Sequence, residues 1–253
     1  MPAEETSPAV VLRARDYAES DRIVTLLTRD HGKIGGIAKG AKASRHRFER
    51  KLEPFSHVMA HFRRRPHGQL VFITRAEAAD LVQFRIEDDL GRIALGTYML
   101  ELTDLLTVEA GDAADAYHSL VSALVVLSER SAEAAIRQAF ELRALSWAGF
   151  GLEFARCRVC ANEADTEVVY FVVGRGGVVC GRCRSGVPEA AIRLRMESAA
   201  ALARLGAMAL DQVSGATPAG GDGALAIARF LNSILDRKLR TAEFLDSILN
   251  DGR

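Results

Sequence analysis

The spacing of hydrophobic positions along this chain changes once, close to residue 80. Before that point the apolar residues come in short runs: Val10-Val11-Leu12, Ile23–Leu27, Ile34–Ala38, Val58–Phe62 and Leu70–Thr74. Turn-forming residues separate them, at Asp16, Ser20, Gly32, Gly35-Gly36, Gly40, Pro54 and Pro66-His67-Gly68. In the fourth run Val58, Ala60 and Phe62 alternate with His57, Met59, His61 and Arg63, the two-residue period of a strand with one face in a core. Five short strands within the first 80 residues predict a small closed barrel. The OB-fold is the commonest of these, and an SH3-like barrel satisfies the same pattern.

From about Leu81 the period becomes helical. Ile86, Leu90 and Ile93 begin a stripe that Leu95, Met99, Leu102 and Leu106 continue at three- and four-residue spacing. Residues 112–128 and 133–148 read as two further helices. Pro188 stands where helices favour their start, and Ile192, Met196, Ala199, Leu202 and Leu205 predict the next one. Ser214 to Gly223 is a loop, and two closing helices carry Ile227, Leu231 and Ile234, then Phe244, Leu245, Ile248 and Leu249.

The cysteines interrupt this pattern and change the picture. Cys157-x2-Cys160 and Cys180-x2-Cys183 form two tight pairs, with nineteen residues between the pairs. Two thiolates three positions apart on a turn reach one metal, and a second pair completes a tetrahedron of sulfur, the donor set that suits Zn2+. Four thiolates leave no open position for water, so the ion is expected to be structural, one per chain. The apolar run 168–173, the glycines at 174, 176 and 177, and Val178-Val179 predict a hairpin returning the chain to the first pair, as in a zinc ribbon. Two disulfides or four separate thiols are the bland alternatives.

The predicted fold class is therefore α+β and multidomain. An N-terminal OB-fold β-barrel spans residues 1–80, and a four-Cys zinc-ribbon insert spans 155–185. An all-α helical domain comes in two parts, 81–154 and 186–253.

Charge looks neutral until it is divided. Lys plus Arg and Asp plus Glu each total 33, yet residues 1–85 hold 16 basic against 10 acidic side chains and the remainder holds 17 against 23. Such segregation suggests a basic module that meets an anionic partner. The densest groups are Lys39 with Lys42, Arg45 with Arg47, Arg50 and Lys51, and Arg63-Arg64-Arg65. Loops projecting from a barrel can converge into a surface that neutralises several phosphates. A solvated face is the plain alternative. Phe48 and Tyr17 fall in predicted loops and offer rings for base stacking, although a plug under the loop is the commoner role for Phe48. His57 and His61 share a strand face without Cys, Asp or Glu neighbours and read as surface polar residues.

Other chemistry is absent from the motifs. Gly35 to Lys42 superficially suggests a phosphate loop, but Ala41 separates Gly40 from Lys42 and Ala43 stands where Ser or Thr is needed. No nucleophile elbow or His-Glu-x-x-His helix occurs, and no enzyme activity is expected. No apolar run is long enough to span a membrane, and the polar N-terminus lacks a secretory signal, which places the expected site of action in the cytoplasm.

Several stretches resemble the RecO family of bacterial recombination mediators: Arg15 to Lys42, Ser44 to Phe48, Leu52 to Phe55, Gly149 to Leu152 and Arg237 to Leu245. The four cysteines match its zinc-bearing branch. The resemblance implies an OB-fold, a helical domain and a zinc insert, in a DNA-repair protein that binds single- and double-stranded DNA and promotes strand annealing. It further implies that the chain joins RecR and helps load RecA onto DNA coated by single-stranded DNA-binding protein, with nucleoid association during repair. Lys39, Lys42, Arg45 and Arg47 match the family's loop and are carried over as DNA-binding residues. Arg63, Arg64 and Arg65 are added on charge alone. The alternative is a zinc-ribbon module that meets RNA or protein without annealing DNA.

Overall fold

Fourteen residues of the N-terminal segment form one strand, β1 (Glu4–Tyr17), far longer than its apolar centre at Val10–Leu12. The reason is that β1 serves two partners. Its first half pairs antiparallel with β4 (His57–Arg63) and its second half with β2 (Asp21–Thr28), with a bulge between Val11 and Arg13 where the strand bends. With β3 (Gly32–Ala38) and β5 (Val71–Ala78) the sheet closes into a barrel of order β1-β2-β3-β5-β4. The computed structural model describes residues 3–44, 46–48, 51–65, 70–79, 84, 86, 88–109, 111–163 and 167–251. The chain divides into two compact units, Met1–Glu129 and Arg130–Arg253.

The barrel closes between β3 and β5 through a short parallel pairing, Gly36 with Val71 and Ile37 with Phe72. The closure is tight, since a Cβ on Gly36 would lie 2.5 Å from Ile73 Cδ1 and the Ile73 side chain would have to shift. Inward positions of all five strands, among them Val11, Leu26, Ile34, Phe62 and Ile73, fill the core, as the alternation predicts. Phe48 is also there, 2% exposed, so the ring is the plug under its loop and is not free for stacking.

Two helices complete the first unit. Helix α1 (Leu90–Leu106) begins later than its apolar stripe because Asp89 caps it, accepting from the Arg92 N–H at 2.8 Å. Buried Asp104 on α1 receives Lys33 Nζ from β3 at 3.2 Å and Arg13 Nη2 from β1 at 2.5 Å, which ties helix to barrel. Helix α2 (Ala114–Glu129) is held by Tyr117, whose hydroxyl lies 2.7 Å from His57 Nε2. His57 is therefore a half-buried packing residue, stacked on Phe84, and not the surface group its strand position suggested.

The second unit places α3 (Ala134–Trp147), α5 (Met196–Ala207), α6 (Gly221–Ile234) and α7 (Ala242–Asp251) around a three-stranded sheet. The sheet order is β7 (Gly177–Val179), β6 (Val168–Val172), β8 (Ala191–Arg195), and a short helix α4 (Gly181–Arg184) follows β7. Strand β8 occupies the segment where a helix was predicted to start at Pro188. Its Ile192, Arg193, Leu194 and Arg195 alternate, and the helix begins only at Met196. Among the described residues no helix is long and apolar enough to cross a membrane.

Candidate metal centre and nucleic-acid interface

Two backbone turns build the thiol cluster. In the first, Cys157 N–H donates to Asn162 O and Ala161 N–H to Cys157 O, both at 2.9 Å, with Ala161 in the left-handed region at φ 59°. Arg158 N–H reaches Val178 O at 2.9 Å, which fastens this turn to β7. The second turn is the start of α4, where Cys183 and Arg184 N–H both donate to Cys180 O at 3.1 Å. The hairpin between the pairs is β6 and β7, joined by a 3-10 turn over Val173–Arg175.

This geometry brings all four sulfurs within 4.8 Å of one another, with Cys160 and Cys180 Sγ 3.9 Å apart. A tetrahedral ion with bonds of about 2.3 Å needs edges of roughly 3.8 Å, so the cluster is the right size to hold a metal ion. Val172, Val179 and Val187 pack around the buried Cys157 and Cys180, while Cys160 and Cys183 are partly exposed. Burial pushes the Cys157 thiol up, but the N–H groups of Cys160, Cys180 and Val159 outweigh it and bring it down to about 6. Cys183 moves the other way, up to about 12, through its hydrogen bond to Cys180 together with burial and its contacts to Cys160 and Cys157. A cation at the centre would favour every thiolate, so that binding releases the remaining thiol protons.

The basic candidates fall into two groups. Lys42 Nζ lies 2.9 Å from Asp16 near the end of β1, and its hydrogen bond holds that carboxyl below the ordinary range. Arg63 Nε faces Glu4 at 3.4 Å and Arg64 Nε faces Glu5 at 3.0 Å, at the start of β1. Lys39, Arg47 and Arg65 have no carboxylate in ion-pair range among the described residues. The structure brings Lys39 and Arg65 to one ring and sets the Arg47 guanidinium over another, 5.1 Å from the centroid of Phe48. Lys39 Nζ lies 5.4 Å and Arg65 Cζ 5.1 Å from the centroid of the Phe72 ring, and Arg47 Nη2 donates to Lys39 O at 3.0 Å. Arg45 lies outside the described residues.

Phe72 is the residue that the charge count overlooked. Its signal was present in the alternation of β5, where Val71 and Ile73 point inward and Phe72 and Thr74 outward. Tyr17, expected in a loop, is instead the last residue of β1, paired with Asp21, and its ring is 51% exposed. The glycine run from Gly35 is a strand followed by a turn with Gly40 at φ 63°, with no helix among the described residues before β4 to receive a phosphate.

A closed five-stranded barrel with a basic face, part of it without carboxylate partners among the described residues, joined in one chain to a helical unit with a four-thiol centre, defines a two-unit barrel-and-helix protein. Residues 1–82 match the family model "Recombination protein O N terminal" and residues 87–243 match "Recombination protein O C terminal". The DNA repair protein RecO of Anaeromyxobacter dehalogenans strain 2CP-C is 38% identical over 247 residues, covering 94% of both chains. Those of Symbiobacterium thermophilum and Streptomyces griseus are each 33% identical, covering 94% of this chain and 95% and 96% of the relatives. The chain belongs to the RecO family of DNA repair and recombination proteins.

Proposed function

We propose that this chain is a non-enzymatic recombination mediator that binds single- and double-stranded DNA through its barrel and promotes annealing. With RecR it would load RecA onto DNA coated by single-stranded DNA-binding protein, in the bacterial cytoplasm at the nucleoid. The observation that carries the DNA-binding reading is the grouping of Lys39 and Arg65 over Phe72, with Arg47 bound to the Lys39 carbonyl beside them, none of the three with an acidic partner among the described residues. A cation facing a carboxylate adds little to the local potential, and exchanging that carboxylate for a phosphate gains little. Three uncompensated cations on one face attract a polyanion and release its counterions. Arg45 belongs to the same loop and is proposed with them; Lys42, Arg63 and Arg64 contribute after leaving Asp16, Glu4 and Glu5. Screening phosphates without reading base edges lets two complementary strands approach and sample register.

Cys157, Cys160, Cys180 and Cys183 are the proposed ligands of one structural Zn2+. Zinc would supply cross-linking of the two turns, with Val172, Val179 and Val187 packed around the buried Cys157 and Cys180.

The test is binding of a labelled single-stranded oligonucleotide across a salt series, with annealing measured on the same preparation. Substituting Lys39→Ala with Arg65→Ala is expected to weaken binding roughly tenfold and to lower the log–log salt slope by about 1.4, two phosphate contacts' worth. Unchanged affinity and slope would remove the barrel face from the mechanism.

A further inference from the structure

The sheet beside the four-cysteine centre of the second unit repeats the construction of the barrel face. Tyr170 on β6 is half-buried, and the guanidinium of Arg184 on α4 lies over its ring at 5.7 Å. Arg184 is held there by donating to Val187 O, in the turn that follows the second cysteine pair. Directly across the sheet, the β6–β8 register sets the exposed Arg193 opposite Tyr170. Directly opposed antiparallel residues have Cβ atoms about 5 Å apart, so the Arg193 side chain is within reach of the same ring.

The carboxylates nearby sort these arginines as they sort those of the barrel. Arg195 is taken by Glu197 at 2.7 Å and by Asp222 at 3.4 Å. Glu189 feels the charge of Arg184, but its carboxylate binds Arg175 at 2.9 Å. Neither Arg184 nor Arg193 has a carboxylate in ion-pair range among the described residues. The result is an aromatic ring with two guanidinium groups that no carboxylate pairs with directly among the described residues, on a sheet that the two cysteine turns flank.

We propose that Tyr170, Arg184 and Arg193 form a second single-stranded DNA-binding surface, separate from the barrel face and dependent on the cysteine centre for its shape. Single-stranded DNA is the occupant that this chemistry selects. Arginine offers a flat cation to phosphate or base, and the exposed part of a tyrosine ring offers a stacking surface that a base paired within a duplex cannot use. An acidic protein segment would satisfy the charges and leave the ring without a role. The proposal rests on the DNA-binding reading of the first unit and extends it, giving each unit of the chain its own grip on a strand.

The test uses the zinc-loaded full chain and a labelled thymidine homopolymer of about 20 nucleotides, longer than one such surface covers. Tyr170→Leu is expected to weaken binding about tenfold, the loss of one stacked base. Arg193→Glu is expected to lower the salt slope by roughly 0.7, one phosphate contact. Photo-crosslinking with an iodouracil-substituted strand is expected to mark the peptide containing Tyr170. If Tyr170→Leu fails to retain zinc, the exposed Arg193 variant and the crosslink decide the matter. If both variants keep zinc and bind as the parent does, while Lys39→Ala with Arg65→Ala weakens binding, the second surface is refuted and the barrel reading stands. If the parent chain does not bind the oligonucleotide, both readings fall. Loss of capture of an acidic peptide with unchanged DNA binding would also overturn the proposal.

Discussion

Asp16 shows how one carboxylate sets the worth of a distant cation in the sequence. It lies 2.9 Å from Lys42 Nζ and 3.3 Å from Arg22 Nε, so Lys42 enters any encounter with DNA already neutralised. Asp16→Asn is expected to raise oligonucleotide affinity by about threefold and steepen the salt slope by up to 0.7 or so, measured in the same salt series. Ala161 makes a second residue-scale point. A side chain with a Cβ at φ 59° costs about 1 kcal/mol in the turn of the first cysteine pair. Ala161→Gly is expected to tighten metal retention against a chelator by about that amount, and a looser site would show that the turn is not limiting. The four cysteines were legible because spacing alone specifies a shared ligand. The sorting of the basic residues was not, because Glu4, Glu5 and Asp16 lie in a different strand from the cations they neutralise.

At the scale of elements, the strands that read correctly are those with one buried face. β4 alternates cleanly, with Val58, Ala60 and Phe62 inward, and was visible from pattern alone. β1 was seen only at its apolar centre, since its ends are polar and are held by pairing with two different neighbours. β8 was missed because Ile192 also fits a helical stripe with Met196, and only the flanking arginines reveal the two-residue period. Asp222 then links α6 to the end of β8 and the start of α5. It accepts from Arg195 N–H at 2.8 Å and Ser198 Oγ at 2.7 Å, in the first turn of α6. Burial raises its carboxyl, yet these donors outweigh it and bring it down to about 2. Its contribution to stability is present above the ordinary value of 3.8 and is lost as pH falls through about 2. Asp222→Ala is expected to destabilise the second unit by about 1–3 kcal/mol, read by chemical denaturation at neutral pH, with most of that difference gone near pH 2.

On the scale of the whole chain, the two units respond to different conditions. Burial lowers the His57 pKa from its ordinary 6.5, and the neutral ring sits beside Tyr117. The unfolded chain therefore binds the proton first, so the His57 contribution to the stability of the first unit is full above about pH 6.5 and is lost as pH falls toward the depressed folded value. His57→Gln is expected to flatten that pH dependence in thermal melts. Chelation acts on the other unit: removing metal should expose Val172, Val179 and Val187 to rapid amide exchange while the barrel strands stay protected.

The closure of the barrel has a consequence for how the molecule meets its ligand. Four of the five strand junctions are antiparallel ladders, whereas β3 and β5 meet through only two residue pairs, one of them Ile37 with Phe72. The barrel thus has a seam, and the ring that gathers Lys39 and Arg65 is sewn into it. Amides along the seam should exchange ahead of the other core strands. A strand of DNA lying across Lys39, Phe72 and Arg65 would act as a stitch, slowing that exchange by bridging two edges which the protein itself joins only lightly.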